Sequence, residues 1–246
     1  MPFRTRMFWK AKSGNAAEEY EDALAAEAAT GRFAVADGAS ESSYSGLWAR
    51  ILVEEFTHLP AGAPFAWTEW LPAVQARWAS EIGERPGQQA WFVQSKIASG
   101  SFATFAGLSI TDGHEKRWQS WAVGDSCVFQ IRNNKIYNSF PLSRSDQFGV
   151  KPLLIGSRSS VTEIDQNRSD HISGGWETGD QFWLMTDALS QWFFSRNEAE
   201  AAPVRQVLRI LAESEHNPDS FGNWAQKIRD SGDLHNDDVT LLIVEA

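Results

Sequence analysis

The chain is poor in cysteine, in cationic residues and in long apolar runs. Cys127 is the single cysteine among 246 residues, which excludes an internal disulfide framework and a zinc site built from cysteines. Lysine and arginine number 22 against 32 aspartates and glutamates, for a net charge of -10, so electrostatics disfavours nucleic acid and anionic membranes as partners. No stretch approaches the ~20 apolar residues of a membrane span, and the basic N-terminus lacks the apolar core of a signal peptide. We therefore expect a cytoplasmic protein without a membrane or nucleic-acid partner.

Aromatic and apolar residues are abundant, at 12% and 42% of the chain, which is enough to bury a sizeable core. Runs of aromatic and β-branched residues predict strands at 32–37, 101–111, 117–126, 127–131, 181–187 and 239–246. Apolar stripes of helical period predict helices over 48–59, 67–82, 204–211 and 221–228, with Pro72 near the first turn of the second. The polar segment 132–135 predicts a hairpin turn, and the turn-rich segment 140–178 predicts a long surface excursion.

These elements fall in blocks: one strand, two helices, several strands, two more helices and a last strand. That order differs from the regular alternation of a parallel sheet and favours antiparallel sheets with segregated helices. We expect one domain over residues 1–246.

Acidic residues stand at the ends of the predicted strands. Asp37 ends the strand in FAVAD, Asp125 follows the one in AVG, Asp187 ends a third in LMTD, and Asp237 and Asp238 open the last. Any one Asp-Gly or Asp-Ser pair after a strand is most often only a turn. The interpretation therefore depends on the ordered set and not on any member of it.

Another acidic pair, Glu21 and Asp22, precedes the FAVAD strand in a segment that could be its hairpin partner. Carboxylates gathered at one end of a sheet repel one another unless a cation neutralises them. Oxygen ligands suit Mg²⁺ or Mn²⁺, and two such ions ~3.5 to 4 Å apart can activate a water and stabilise the oxyanions of a phosphoryl transfer. The five histidines are scattered and do not suggest a metal site.

Six motifs, in this order, resemble the metal-dependent Ser/Thr protein phosphatases of type 2C. They are EDA at 21–23, FAVADG at 33–38, GSFATFAGLSI at 100–110, AVGDS at 122–126, LMTDAL at 184–189 and DDVTLLIV at 237–244. The resemblance implies an α+β fold, a sandwich of two antiparallel β-sheets flanked by helices on both faces, in a bacterial-type stand-alone catalytic domain. It also implies hydrolysis of phosphoserine and phosphothreonine in proteins with two Mn²⁺ or Mg²⁺ ions, in opposition to a Ser/Thr kinase.

The resemblance also implies roles for individual residues. Asp37 corresponds to the carboxylate that bridges the two ions, and the carbonyl of Gly38 to a ligand of one of them. The other matches are Glu21 as ligand of the second ion, Asp22 as the carboxylate that holds the ions' waters, and Asp187 and Asp237 as ligands of the first ion.

Departures from the family pattern bear on substrate binding. No histidine follows the Asp-Gly pair to protonate the leaving group, so a water would take that role. Ala17 stands where many members have a phosphate-binding arginine, and Lys12 is our candidate replacement. Gln191 replaces the acid that, with the aspartate matched by Asp125, holds a weak third ion. Ala188 replaces the usual glycine and requires a negative φ.

Two other functions remain open. One is a pseudo-phosphatase that keeps the fold and serves as a regulatory binding module, which the departures at Ala17, Ala39 and Gln191 favour. Four intact acidic residues argue against it: Glu21, Asp37, Asp187 and Asp237. The other is a different metal-dependent hydrolase that acts on nucleotides or small phosphoesters with the same carboxylate chemistry.

Overall fold

Two five-stranded antiparallel sheets form the centre of the computed structural model, which describes residues 3–83, 100–149, 151–164 and 169–246. In spatial order the first sheet contains Arg4–Lys10 (β1), Val239–Glu245 (β12), Gln181–Met185 (β11), Cys127–Arg132 (β7) and Lys135–Phe140 (β8). The second contains Asp170–Gly175 (β10), Lys116–Val123 (β6), Phe105–Asp112 (β5), Arg32–Ala36 (β3) and Ala23–Glu27 (β2). Two short strands, Phe102–Ala103 (β4) and Ile155–Gly156 (β9), pair separately.

Helices cover the outer face of each sheet. On the second sheet lie Ser45–Thr57 (α1) and Trp67–Gly83 (α2), and on the first lie Asp187–Glu198 (α3), Pro203–Ser214 (α4) and Ser220–Asp230 (α5). Shorter helical turns span Ala17–Glu19, Ser145–Gln147 and Val161–Glu163. Within the described ranges, no helix has the length and apolar content needed to cross a membrane.

Alternating side chains of the central strands fill separate apolar layers. On β12, Leu241 and Ile243 pack with the helices of the first sheet, whereas Leu242 and Val244 pack between the sheets. Both faces of the strand are therefore buried, which explains its continuous apolar run. The α+β sandwich flanked by helices, expected from the sequence, is confirmed.

Several elements differ from the sequence-based predictions. The predicted strand 101–111 is interrupted at Thr104, and Pro72 is the sixth residue of α2 instead of lying in its first turn. Strand β1 and helix α3 were not predicted. The predicted excursion at 140–178 contains β9 and β10, although its residues 150 and 165–168 lie outside the described residues. The turn at 132–135 is confirmed, with positive φ at Asn133 and Asn134.

Candidate active site

Three predicted acidic residues, Asp37, Asp187 and Asp237, line one cleft of about 830 Å³. Asp37 directly follows β3 in the second sheet, whereas Asp187 begins α3 and Asp237 lies two residues before β12 in the first sheet. The two sheets therefore each contribute carboxylates to the same end of the sandwich. Lys151 lines this cleft as well, and the sequence analysis did not single it out.

The carboxylates of this cleft share a confined region with their acidic neighbours. Burial and the charges of Asp22 and Asp187 hold the pKa of Asp37 well above its usual value. Burial and the charge of Asp237 raise the pKa of Asp187 to about 6. Burial and the charge of Asp187 raise the pKa of Asp125 to about 7. A cation bound among these groups would relieve the repulsion that raises each pKa.

Asp22 is buried and fixed by two threonines. Its Oδ2 accepts hydrogen bonds from Thr186 Oγ1 at 2.9 Å and from Thr240 Oγ1 at 2.6 Å. The Tyr20 hydroxyl donates in turn to Thr240 Oγ1, so a chain of hydrogen bonds orients the carboxylate. Burial raises the pKa of Asp22. The threonines were missed, although a threonine within the apolar run of β12 is a signal that a buried polar partner exists.

Glu21 lies beside this cleft and lines a neighbouring one of about 540 Å³. Its Oε1 accepts a hydrogen bond from Ser45 Oγ at 2.5 Å, and its Oε2 accepts one from Ser40 Oγ. Lys12 Nζ donates to Ser40 Oγ at 2.9 Å and lies 3.6 Å from Glu21 Oε2. Both carboxylate oxygens of Glu21 thus have internal partners.

Gly38 lets two backbone segments approach the end of β3. A Cβ built on Gly38 would lie 2.7 Å from the carbonyl oxygen of Glu21 and 2.7 Å from the carbonyl carbon of Ser45, so a larger residue would displace one of them. Gly38 pairs with Ala103 in an isolated bridge whose hydrogen bonds come from the flanking residues. These bonds run from Ala39 to Phe102 and from Thr104 to Asp37, so the pairing with β4 does not use the carbonyl of Gly38.

Two further residues position the site, and the sequence analysis did not assign them this role. Asp238 Oδ1 accepts from the amide of Lys12 at 2.8 Å, and its Oδ2 accepts from the amide of Glu21 at 2.7 Å. Arg229, on α5, donates to the backbone carbonyls of Asp237 at 2.5 Å and Ala11 at 2.9 Å. The segment before β12 is therefore fixed to the end of β1 and to the start of the Glu21 segment.

The metal-ligating atoms that the site offers are of the kind that hard divalent cations prefer. Its side-chain donors are carboxylate oxygens, and the buried Oδ1 of Asp125 has no hydrogen-bond partner. Among the residues that the structure describes, no three acidic, histidine or cysteine side chains are arranged so that they could hold an ion as they stand. Asp37, Asp187 and Asp237 are the acidic residues of the candidate site that line one cleft together.

A family model described as Protein phosphatase 2C matches residues 16–224. The chain belongs to the protein phosphatase 2C family. The match spans most of the chain and includes five of the six motifs, from EDA to LMTDAL. Family membership makes the chain a protein phosphatase and confirms the resemblance inferred from the motifs. Ala188, one of its departures, lies inside α3 and has no positive φ, so alanine is tolerated there.

Solved structures of phosphatases resemble the whole chain. PppA of Pseudomonas aeruginosa, described as a key regulatory component of T6SS, has a TM-score of 0.59 and 18% identity over 100% of this chain and 98% of its own. The Mycobacterium tuberculosis serine/threonine phosphatase PstP/Ppp has a TM-score of 0.63 and 15% identity over 100% of this chain and 99% of its own. The catalytic domain of PstP in complex with two manganese ions has a TM-score of 0.60 and 15% identity over 99% of this chain and 97% of its own. At these identities the likeness concerns the fold. A search of curated proteins gives no significant match.

Proposed function

We propose that this protein phosphatase 2C member hydrolyses phosphoserine and phosphothreonine in proteins with the help of two divalent ions, Mn²⁺ or Mg²⁺. The observation that carries the proposal is the shared cleft of Asp37, Asp187 and Asp237, with carboxylate pKa values raised by burial and mutual repulsion. A phosphoprotein modified by a Ser/Thr kinase is the substrate class that this activity implies. Residues 1–246 would act as one phosphatase domain.

The ligands are assigned from the family motifs. Asp37 would hold both ions, and the Gly38 carbonyl would hold one of them. Glu21 would hold the second ion, whereas Asp187 and Asp237 would hold the first. When bound, the ions would supply positive charge that neutralises the phosphoryl oxygens and lowers the pKa of a water. Asp125 would help to hold a weakly bound third ion, and Gln191 supplies no negative charge for that ion.

The protein's own residues orient the reaction around this charge. Asp22, held at Oδ2 by Thr186 and Thr240, would accept a hydrogen bond from the attacking water and align it with phosphorus. The P–O bond to the serine or threonine oxygen would break as the water oxygen bonds to phosphorus. The proton that this water loses would pass to solvent, and a solvent proton would complete the alcohol. No covalent enzyme intermediate is required.

Two lysines can bind the substrate phosphate. Lys151 lines the cleft with the three aspartates, and Lys12 lies next to Glu21 through Ser40. An ammonium group supplies a point charge and not the bidentate contact of arginine, so phosphate binding through either lysine would be less directional than in members with the arginine.

The test compares a phosphothreonine peptide, a nucleotide and an aryl phosphate, each with Mn²⁺ and with excess EDTA. The proposal expects Mn²⁺-dependent hydrolysis of the peptide and of the aryl phosphate, and no hydrolysis in EDTA. Full activity in EDTA would contradict it. Peptide binding without turnover would favour the regulatory module, and preference for the nucleotide would favour the small-phosphoester hydrolase.

A further inference from the structure

Strand β1 is a basic edge strand on an acidic protein. Among the strands of the described residues, β1 has one neighbour, β12, so the hydrogen-bonding groups on its other edge face away from the sheet. From residue 3 to residue 15 the chain has no acidic residue and four basic ones, Arg4, Arg6, Lys10 and Lys12. The whole chain has a net charge of -10, whereas this segment is positively charged.

A groove of about 500 Å³ runs along this edge, between β1 and the start of α5. Its walls include Met7 and Trp9, which are 45% and 48% exposed, together with Lys10 and Lys12. Exposed apolar side chains that alternate along an edge strand are suited to contact the side chains of an added strand. Asp219 is the one acidic residue among the groove's described walls, so lysines outnumber carboxylates there.

The shape of the groove follows from two contacts between β1 and α5. The rings of Phe8 and Phe221 pack with centroids 5.3 Å apart, which holds the helix against the strand. Beside them Gly222 has no side chain, and a Cβ there would lie 3.4 Å from Cδ of Lys10. The aliphatic part of Lys10 therefore lies over the helix backbone.

One lysine of the groove contacts residues of the candidate active site. Lys12 and Ala17 line its inner end, and Lys12 Nζ is 3.6 Å from Glu21 Oε2. The ring of Trp9 packs against that of Tyr20 with centroids 4.8 Å apart, and Tyr20 belongs to the hydrogen-bonded chain that holds Asp22. A peptide lying along β1 would thus have one end next to the carboxylate cleft.

We propose that this groove docks an extended acidic segment of the phosphoprotein substrate, which adds as a strand to the free edge of β1. The inference rests on the proposed phosphatase function and names the class of sequence around the phosphorylated residue. Main-chain hydrogen bonds to β1 would provide affinity, and pairing with the exposed Lys10 would select acidic side chains. The acidic remainder of the protein would repel such a segment everywhere else.

The test uses a charge reversal on β1 with a matched control. Lys10→Glu reverses one groove charge, and Lys135→Glu reverses an exposed charge on β8, the opposite edge strand of the same sheet. The substrates are a phosphothreonine peptide with acidic flanking residues, the same peptide with the acids replaced by their amides, and an aryl phosphate. We expect kcat/KM of the wild type to favour the acidic peptide about tenfold. Lys10→Glu should abolish this preference, and Lys135→Glu should retain it.

The aryl phosphate separates the two proposals. Its hydrolysis should be equal in wild type, Lys10→Glu and Lys135→Glu, and absence of hydrolysis in the wild type would count against the phosphatase function alone. Docking can be measured even without hydrolysis, by fluorescence polarisation of a labelled, unphosphorylated acidic peptide that binds the intact protein. The measurement is made at low salt and at about 0.5 M salt. Equal binding of acidic and amide peptides, or equal effects of the two reversals, would overturn the docking proposal.

Discussion

Lys12 Nζ lies 3.6 Å from Glu21 Oε2, and Ser40 Oγ bridges the two groups by accepting from the lysine and donating to the carboxylate. In our proposal Glu21 holds the second ion, yet an internal cation already neutralises part of its charge. An ion that binds at Glu21 must compete with this ammonium group. The contact therefore links metal affinity to a residue that we also consider for phosphate binding.

Replacement of Lys12 separates its effect on metal affinity from its role in phosphate binding. In Lys12→Met the carboxylate loses its neighbouring positive charge, so we expect Mn²⁺ to bind roughly three- to tenfold more tightly, as for an ion pair of limited exposure. Isothermal titration calorimetry of Mn²⁺ into the two proteins measures this. Lys151→Met is the matched control, because Lys151 also lines the cleft, whereas the ion pair with Glu21 is formed by Lys12. Weaker Mn²⁺ binding in Lys12→Met would contradict the competition, and a raised KM for phosphorylated substrates would assign phosphate binding to Lys12.

Asp37 has a raised pKa because it is buried beside other carboxylates. Asp37→Asn removes one of the repelling charges, so we expect the metal-free protein to keep or gain stability while Mn²⁺ affinity and turnover both collapse. Urea denaturation in EDTA, Mn²⁺ titration and aryl phosphate hydrolysis measure the three quantities. The control is Asp112→Asn, at the exposed end of β5. Equally small effects of both substitutions on turnover would show that the site is assigned wrongly.

Gly38 offers a test of site geometry. In Gly38→Ala the added Cβ would lie 2.7 Å from the Glu21 carbonyl oxygen and 2.7 Å from the Ser45 carbonyl carbon, so one of these backbone segments must shift. We expect a loss of about 1 to 3 kcal/mol in the free energy of unfolding and weaker Mn²⁺ binding. Gly83→Ala, at a helix position where a Cβ meets nothing within 4 Å, should leave both quantities unchanged. A Gly38→Ala protein as stable as the wild type would mean that the segments separate at no cost.

The raised carboxylate pKa values predict how stability depends on pH. A buried acid whose folded-state pKa exceeds its unfolded value near 3.9 favours the fold at low pH, and that contribution is lost as pH rises through the folded-state pKa. The pKa is about 6 for Asp187 and about 7 for Asp125. We therefore expect the free energy of unfolding of the metal-free protein to fall between about pH 4 and pH 7, by a few kcal/mol at about 1.4 kcal/mol per pKa unit.

Urea denaturation in EDTA at pH 5 and pH 8 measures this slope. Mn²⁺ binds the ionised carboxylates, so its addition should restore more stability at pH 8 than at pH 5. A metal-free protein that is more stable at pH 8 would show that the carboxylates are not held close enough to repel one another.

The central strands could be predicted because both of their faces are buried. Strands such as Cys127–Arg132 and Val239–Glu245 consist of apolar runs bounded by polar residues. Strand β1 gave no such signal, because an edge strand carries charges and exposes part of its surface. Helix α3 was missed because the predicted strand 181–187 reaches its first residue, Asp187, and only two polar residues separate the apolar run of β11 from Ala188 and Leu189.

The acidic residues of the site could be predicted from their order along the chain, but their partners could not. Thr186 and Thr240 meet Asp22 across 164 and 218 residues of sequence. Arg229 contacts the Ala11 carbonyl across 218 residues. Such pairs depend on which strands become neighbours, and a local pattern of residue types carries no information about that choice.

Asp238 binds the amides of Lys12 and Glu21, which lie 226 and 217 residues before it. During synthesis on the ribosome the N-terminal segment emerges long before the strand that begins at Val239, so the acidic cluster would lack its last members until that strand has emerged. A growing chain that already contains Glu21, Asp22 and Asp37 would thus be unable to dephosphorylate anything. Under the proposed function, activity would depend on the joining of β12 to the sheet, because that step brings Asp237 and Asp238 to the cluster.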